Sequence, residues 1–194
     1  MPVNIPILLT WLRVALIPLV VGVFYLPESV LTVYEQGVAS TAIFIVAAIT
    51  DSFDGYLARI RNETTAFGAF LDPVADKLMV IGALLVLVQL DRVNALLAFV
   101  IIGRELTISA LREWMALIGA PTSVAVSSLG KLKTIAQMVA IPMLLYYDTL
   151  FGLIDTREWG MWLLILAAVL TVWSMFYYLR RAWPLIRVYG GQLP

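Results

Sequence analysis

Six stretches of about 20 predominantly apolar residues, each long enough to cross the hydrocarbon core of a bilayer, occupy most of this 194-residue chain. They run over approximately 7–26, 38–60, 72–90, 94–115, 131–150 and 158–182, with short connections such as Pro27-Glu28 and Asp91-Arg92. Runs of that length read as helices, so the expected fold is an all-α integral membrane protein with six transmembrane helices. A soluble core of this size would not need 62% hydrophobic residues, far above the usual share. The first stretch has no basic segment before it and no small-residue cleavage site, and is read as retained rather than as a signal peptide. No internal repeat, low-complexity tract or separate soluble domain stands out, so residues 1–194 read as one membrane domain.

Lysine and arginine at the ends of these stretches give an orientation. Arg59, Arg61, Arg112, Lys131, Lys133, Arg180, Arg181 and Arg187 fall at one side, whereas Arg92 and Arg157 fall at the other. The positive-inside rule then puts both termini, and the polar residues near the first group, on the cytoplasmic face. Tyr25, Tyr146, Tyr147, Trp159, Trp162, Tyr177, Tyr178 and Trp183 lie near span ends, where amphipathic rings favour the headgroup layer, and read as interfacial anchors.

Against this background the segment 51–76, DSFDGYLARIRNETTAFGAFLDPVAD, is anomalous. An ionised carboxylate at bilayer depth costs at least about 2.5 kcal/mol, and this segment carries Asp51, Asp54, Asp72 and Asp76. Asp51 and Asp54 are three apart and Asp72 and Asp76 four apart, so on helices each pair shares a face. Two such faces meeting would repel by roughly 3 kcal/mol per pair at ~6 Å and an effective dielectric of ~20. A pair of divalent cations relieves that repulsion, and hard oxygen ligands suit Mg²⁺ or Mn²⁺. Gly55 and Gly68 each stand one turn from an aspartate and leave room for a bulky ligand, while Arg59 offers a fixed charge suited to phosphate. Together these residues describe a diphosphate-containing substrate better than a bare ion.

Composition narrows the chemistry further. The chain has no cysteine and no histidine, which excludes disulfides, thiol nucleophiles, histidine bases and zinc sites of the usual kind; a general base must be a carboxylate, lysine or tyrosine. The formal net charge is zero, so no general attraction to nucleic acid is expected. Arg104 and Arg112 are eight residues apart, about 80° on a helical wheel, and can converge on one pocket. Lys131 and Lys133 open the fifth stretch at the same level, and the four suit an anionic second substrate such as a phosphate.

The same segment fits D-x2-D-G-x2-A-R-x8-G-x3-D-x3-D through Asp51, Asp54, Gly55, Ala58, Arg59, Gly68, Asp72 and Asp76. It resembles the signature of the CDP-alcohol phosphotransferase family. The resemblance implies a six-helix membrane enzyme, usually a homodimer, with a polar active-site cavity on the cytoplasmic side. It also implies transfer of a substituted phosphate from a CDP-linked lipid to an alcohol, with release of CMP. By the same resemblance Asp51, Asp54 and Asp72 become ligands of a two-metal site, and Asp76 becomes both a metal neighbour and the base. Gly55, Ala58, Arg59, Gly68 and Thr65 fall where the family holds the cytidine diphosphate.

Further segments, at 4–13, 104–116, 123–140 and 170–175, are similar to a bacterial branch of the family. For that branch the resemblance implies CDP-diacylglycerol as donor, glycerol 3-phosphate as acceptor and the inner membrane as location. Arg104, Arg112, Lys131 and Lys133 then read as the acceptor-phosphate site. Ile7 stands where many of the family have a polar residue, leaving the amino-terminal nucleotide contact to Thr10 and Arg13. Three other readings compete: the same chemistry with inositol phosphate, serine or phosphatidylglycerol as acceptor, an intramembrane prenyltransferase, and an ion-coupled transporter.

Overall fold

In a computed structural model, residues 5–61, 66–119 and 128–189 are described, without the side chains of 5–7, 52, 54–59, 61, 66, 69, 128–131, 188 and 189. Among the described residues six α-helices follow one another: α1 (Ile5–Gly22), α2 (Val33–Arg61), α3 (Ala66–Gln89), α4 (Ala95–Leu117), α5 (Ser128–Tyr146) and α6 (Thr156–Tyr189). The helical expectation therefore holds. An addition is a hairpin between α5 and α6, in which Thr149–Leu150 (β1) pairs antiparallel with Ile154–Asp155 (β2).

Local sequence accounts for several boundaries. Before α2, Thr32 and Glu35 cap each other reciprocally: the Glu35 carboxylate accepts from the Thr32 amide at 2.8 Å and the Thr32 hydroxyl accepts from the Glu35 amide at 3.3 Å, a capping box. Asn94 caps α4 by accepting from the Leu96 amide at 2.8 Å, filling one of the orphan donors of a helix start. The fifth helix stops at Tyr146 rather than reaching 150. There the Arg92 guanidinium donates to the carbonyls of Leu144 and Leu145 at 3.1 and 2.6 Å, replacing the bonds a further turn would have made.

Among the described residues, three helices are long and apolar enough to span unaided, over Leu8–Tyr25, Val33–Asp51 and Thr156–Arg187. The third and fourth helices carry the charges on which the site is built, Asp72, Asp76 and Lys77 on α3 and Arg104, Glu105, Arg112 and Glu113 on α4. At 34 residues, α6 is about 51 Å long, well over the ~30 Å thickness of a hydrocarbon core.

The core joins all six helices through Val20, Phe44, Leu84, Leu87, Ile101, Leu144 and Leu164, with Ala47, Ala83 and Ala140 completely buried at the crossings. Lipid supplies no hydrophobic drive between helices, so such small residues matter by letting backbones approach. Packing is most extensive between α5 and α6, and α1 lies against both α2 and α3. A second, smaller cluster of Ile108, Met115, Tyr178 and Ala182 ties α4 to α6. Trp11, Phe99, Trp162 and Trp173 are among the large apolar residues left on the outside, as expected of a surface that meets lipid.

Candidate active site

The aspartates of α2 and α3 are gathered by two residues of α1. Thr10 and Arg13 lie three apart, hence on one face, and both are buried. The Thr10 hydroxyl donates to Asp72 Oδ1 at 2.6 Å. Arg13 Nη1 donates to Asp76 Oδ1 at 2.6 Å and stands 2.6 Å from Asp51 Oδ1. A wholly buried guanidinium is costly unless its charge is matched, and here two carboxylates from different helices match it. Those carboxylates keep an open side, with side-chain exposures of 32% for Asp51 and 40% for Asp76.

Among the described residues no three acidic side chains are close enough to form a metal-binding group by themselves. The side chain of Asp54 lies outside the described residues, although its backbone continues α2 one turn beyond Asp51. The donors that do converge are carboxylate oxygens, partly open and already arranged around a cation, the guanidinium of Arg13. That chemistry fits a hard divalent ion such as Mg²⁺ or Mn²⁺.

On its other side Asp76 faces a cavity of about 570 Å³ between α3, α4 and α5. Lys77, Arg104, Arg112 and Lys133 line it, along with Asp76, Glu105 and Glu113. Glu105 forms ion pairs with Lys133 and, at 3.5 Å, with Arg104 Nη1, so two of the cations share one carboxylate. Arg104 Nη2 donates to Ser174 Oγ at 2.7 Å, and Ser174 in turn donates to the carbonyl of Thr171 at 2.9 Å. The Tyr178 ring lies beside both arginines, its centroid 5.8 Å from the guanidinium carbon of Arg104 and 5.6 Å from that of Arg112.

Of the residues singled out in the sequence, the structure brings together Thr10, Arg13, Asp51, Asp72 and Asp76 at the carboxylate centre, and Arg104, Arg112 and Lys133 in the cavity. Gly55, Ala58 and Arg59 continue α2, Gly68 lies on α3 and Lys131 on α5, while the side chains of Ala58, Arg59 and Lys131 and the whole of Thr65 lie outside the described residues. One anchor assignment needs correction. Tyr178 is buried, 1% exposed, beside the arginines of α4. Tyr147, just past the end of α5, is half-buried, with the guanidinium carbons of Arg92 and Arg157 at 4.4 and 4.9 Å from its ring centroid. Glu105 reads in the sequence as a partner that orients the neighbouring basic residues, and it pairs with Lys133 and Arg104; Lys77 and Ser174 are additions of the structure, and the available signal was a charged or hydroxyl residue inside a span.

Residues 3–173 match the model of the CDP-alcohol phosphatidyltransferase family. The chain is also 50% identical, over 184 residues, to proteins of Salmonella choleraesuis (strain SC-B67) and Escherichia coli (strain K12), covering 94% of this chain and 96% of each of those. Both carry the name CDP-diacylglycerol--glycerol-3-phosphate 3-phosphatidyltransferase.

Proposed function

The chain belongs to the CDP-alcohol phosphatidyltransferase family, and from that membership we propose that it makes phosphatidylglycerol phosphate in a bacterial inner membrane. It transfers the phosphatidyl group of CDP-diacylglycerol to the hydroxyl of sn-glycerol 3-phosphate and releases CMP, the activity named for relatives 50% identical over nearly the whole chain. The observation that carries the mechanism is the double position of Asp76, bonded to Arg13 in the carboxylate centre and exposed to the basic cavity. A carboxylate there can serve a hydroxyl arriving with a phosphate on one side and a diphosphate on the other.

The acceptor phosphate, a dianion, binds in the cavity to Arg104, Arg112, Lys133 and Lys131, charge-assisted contacts that are stronger than neutral ones. This orients the terminal hydroxyl toward Asp76. The hydroxyl oxygen attacks the phosphorus attached to diacylglycerol, the bond from that phosphorus to the bridging oxygen breaks, and CMP leaves with the electron pair. Asp76 takes the hydroxyl proton during attack, as a general base within reach of the incoming oxygen. Asp51, Asp54, Asp72 and Asp76 would hold two divalent cations, Mg²⁺ or Mn²⁺, which would supply charge stabilisation to the phosphoryl oxygens and the leaving group. Gly55, Ala58, Arg59, Thr65 and Gly68 receive the cytidine diphosphate, with Thr10 and Arg13 at its inner edge. Acyl chains stay in lipid, so the donor enters sideways from the membrane and the acceptor enters from the cytoplasm.

On this reading residues 1–194 act as one domain, and the working form is a homodimer. The acceptor is tested by measuring CMP release from CDP-diacylglycerol with glycerol 3-phosphate, inositol phosphate, serine and phosphatidylglycerol in parallel. Release driven by glycerol 3-phosphate alone supports the assignment. Release driven only by another alcohol keeps the family and overturns the acceptor.

A further inference from the structure

Two guanidinium groups directed at one cavity repel each other, and long flexible side chains lose up to about 2 kcal/mol of rotamer freedom when fixed. Something must hold Arg104 and Arg112 in place before a phosphate arrives. The α4 helix that carries them supplies one ion pair, from Glu105 to Arg104 at 3.5 Å, and that carboxylate is shared with Lys133. The other fixed partners come from α6: Ser174 accepts from Arg104 Nη2 at 2.7 Å, and the Tyr178 ring lies beside both guanidinium groups. Ser174 and Tyr178 are four apart and therefore on one face of α6. Both are almost completely buried, at 1% exposure. Tyr178 belongs to the small α4–α6 core with Ile108, Met115 and Ala182, so its ring is held by packing on its own account.

We infer that Ser174 and Tyr178 are positioning residues for the acceptor phosphate, holding Arg104 and Arg112 as a preformed pair of donors through a hydroxyl and an aromatic face. The ring is attracted to each cation and stands where their mutual repulsion would otherwise spread them. The Ser174 hydroxyl donates onward to the Thr171 carbonyl, so its lone pairs are aimed at Arg104. Among the described residues both make their contacts with α4 and within α6, whereas the donor lipid's side of the site is built from α1, α2 and α3. Their effect is therefore expected at the phosphorylated acceptor. The inference rests on the proposed use of glycerol 3-phosphate.

The test is steady-state kinetics of Ser174→Ala, Tyr178→Phe and Tyr178→Leu in detergent, varying each substrate separately, with melting temperature recorded for each variant. Tyr178→Phe keeps the ring face and is expected to raise KM for glycerol 3-phosphate less than Tyr178→Leu does. Tyr178→Leu is expected to raise KM for glycerol 3-phosphate about tenfold or more, equivalent to ~1.4 kcal/mol, and Ser174→Ala several-fold. KM for CDP-diacylglycerol is expected to change less than twofold in all three. If Tyr178→Leu does not fold, Ser174→Ala decides, because it removes one oxygen and adds no bulk. An unchanged acceptor KM in Ser174→Ala and Tyr178→Leu overturns the inference, as does an equal rise for both substrates, which marks a structural role. Failure of the parent protein to use glycerol 3-phosphate at all is a different result, and overturns the proposed acceptor instead.

Discussion

Asp76 is the residue on which the two halves of the site depend, and its position follows from simple constraints. Four residues after Asp72 on α3, it shares that aspartate's face closely enough to join the carboxylate centre, yet it also faces the cavity between α3, α4 and α5. Replacing it by asparagine keeps the shape and removes the proton acceptor. Asp76→Asn is expected to lower kcat by about 100-fold or more, the scale of general base catalysis, while CDP-diacylglycerol still protects the protein against heat. Near-normal turnover would remove Asp76 from that role. This aspartate was legible in the sequence because a carboxylate in a span is expensive and needs a reason. Tyr178 was not, because a tyrosine near the end of a span reads the same whether it meets headgroups or packs against α4. Arg92, counted as a topology residue, has a further part that no pattern reports: it is buried and bonded to the end of α5. Burial pulls its pKa below the ordinary value, but an arginine remains charged, and the Tyr147 ring beneath it helps to bear that charge.

Among the helices, positions along the chain could be anticipated but closest approaches could not. Hydropathy located all six, and the capping box at Thr32 and Glu35 can be read directly. The end of α5 depends on Arg92, more than fifty residues earlier, which no local pattern reports. The same end is approached by α2 at Gly37, where an added Cβ would lie 2.9 Å from the carbonyl oxygen of Leu145 and 3.2 Å from that of Tyr146. These are backbone atoms of a helix end already held by Arg92, so they cannot yield as a side chain would. Gly37→Ala is expected to cost about 1–3 kcal/mol, as overpacking does, and to lower the melting temperature while leaving both KM values near those of the parent. An unchanged melting temperature would mean that α2 and α5 can separate freely. A Cβ added at Gly160 on α6 would meet side-chain atoms instead, Leu144 Cγ at 2.9 Å and Met143 Cβ at 3.2 Å, with Leu144 fully buried in the core.

Across the molecule, the arrangement separates two ends by function. One end gathers the carboxylate centre and the basic cavity. The other holds Arg92 and Arg157 around Tyr147 and the β1–β2 hairpin, where Leu153 is 88% exposed. In the proposed orientation the first end is cytoplasmic. Because the chain has no cysteine, a single Leu153→Cys substitution gives a clean reporter. An impermeant maleimide is expected to label it from outside the inner membrane, and labelling only from the cytoplasmic side would invert the orientation. Everything proposed for the site turns on whether this chain joins glycerol 3-phosphate to a lipid. The deciding experiment supplies purified protein with CDP-diacylglycerol and radiolabelled glycerol 3-phosphate, with Mg²⁺ and after chelation. Label is expected to enter the lipid phase with stoichiometric release of CMP, only when donor and divalent ion are both present; label that stays in the aqueous phase under every divalent ion would contradict the proposed reaction.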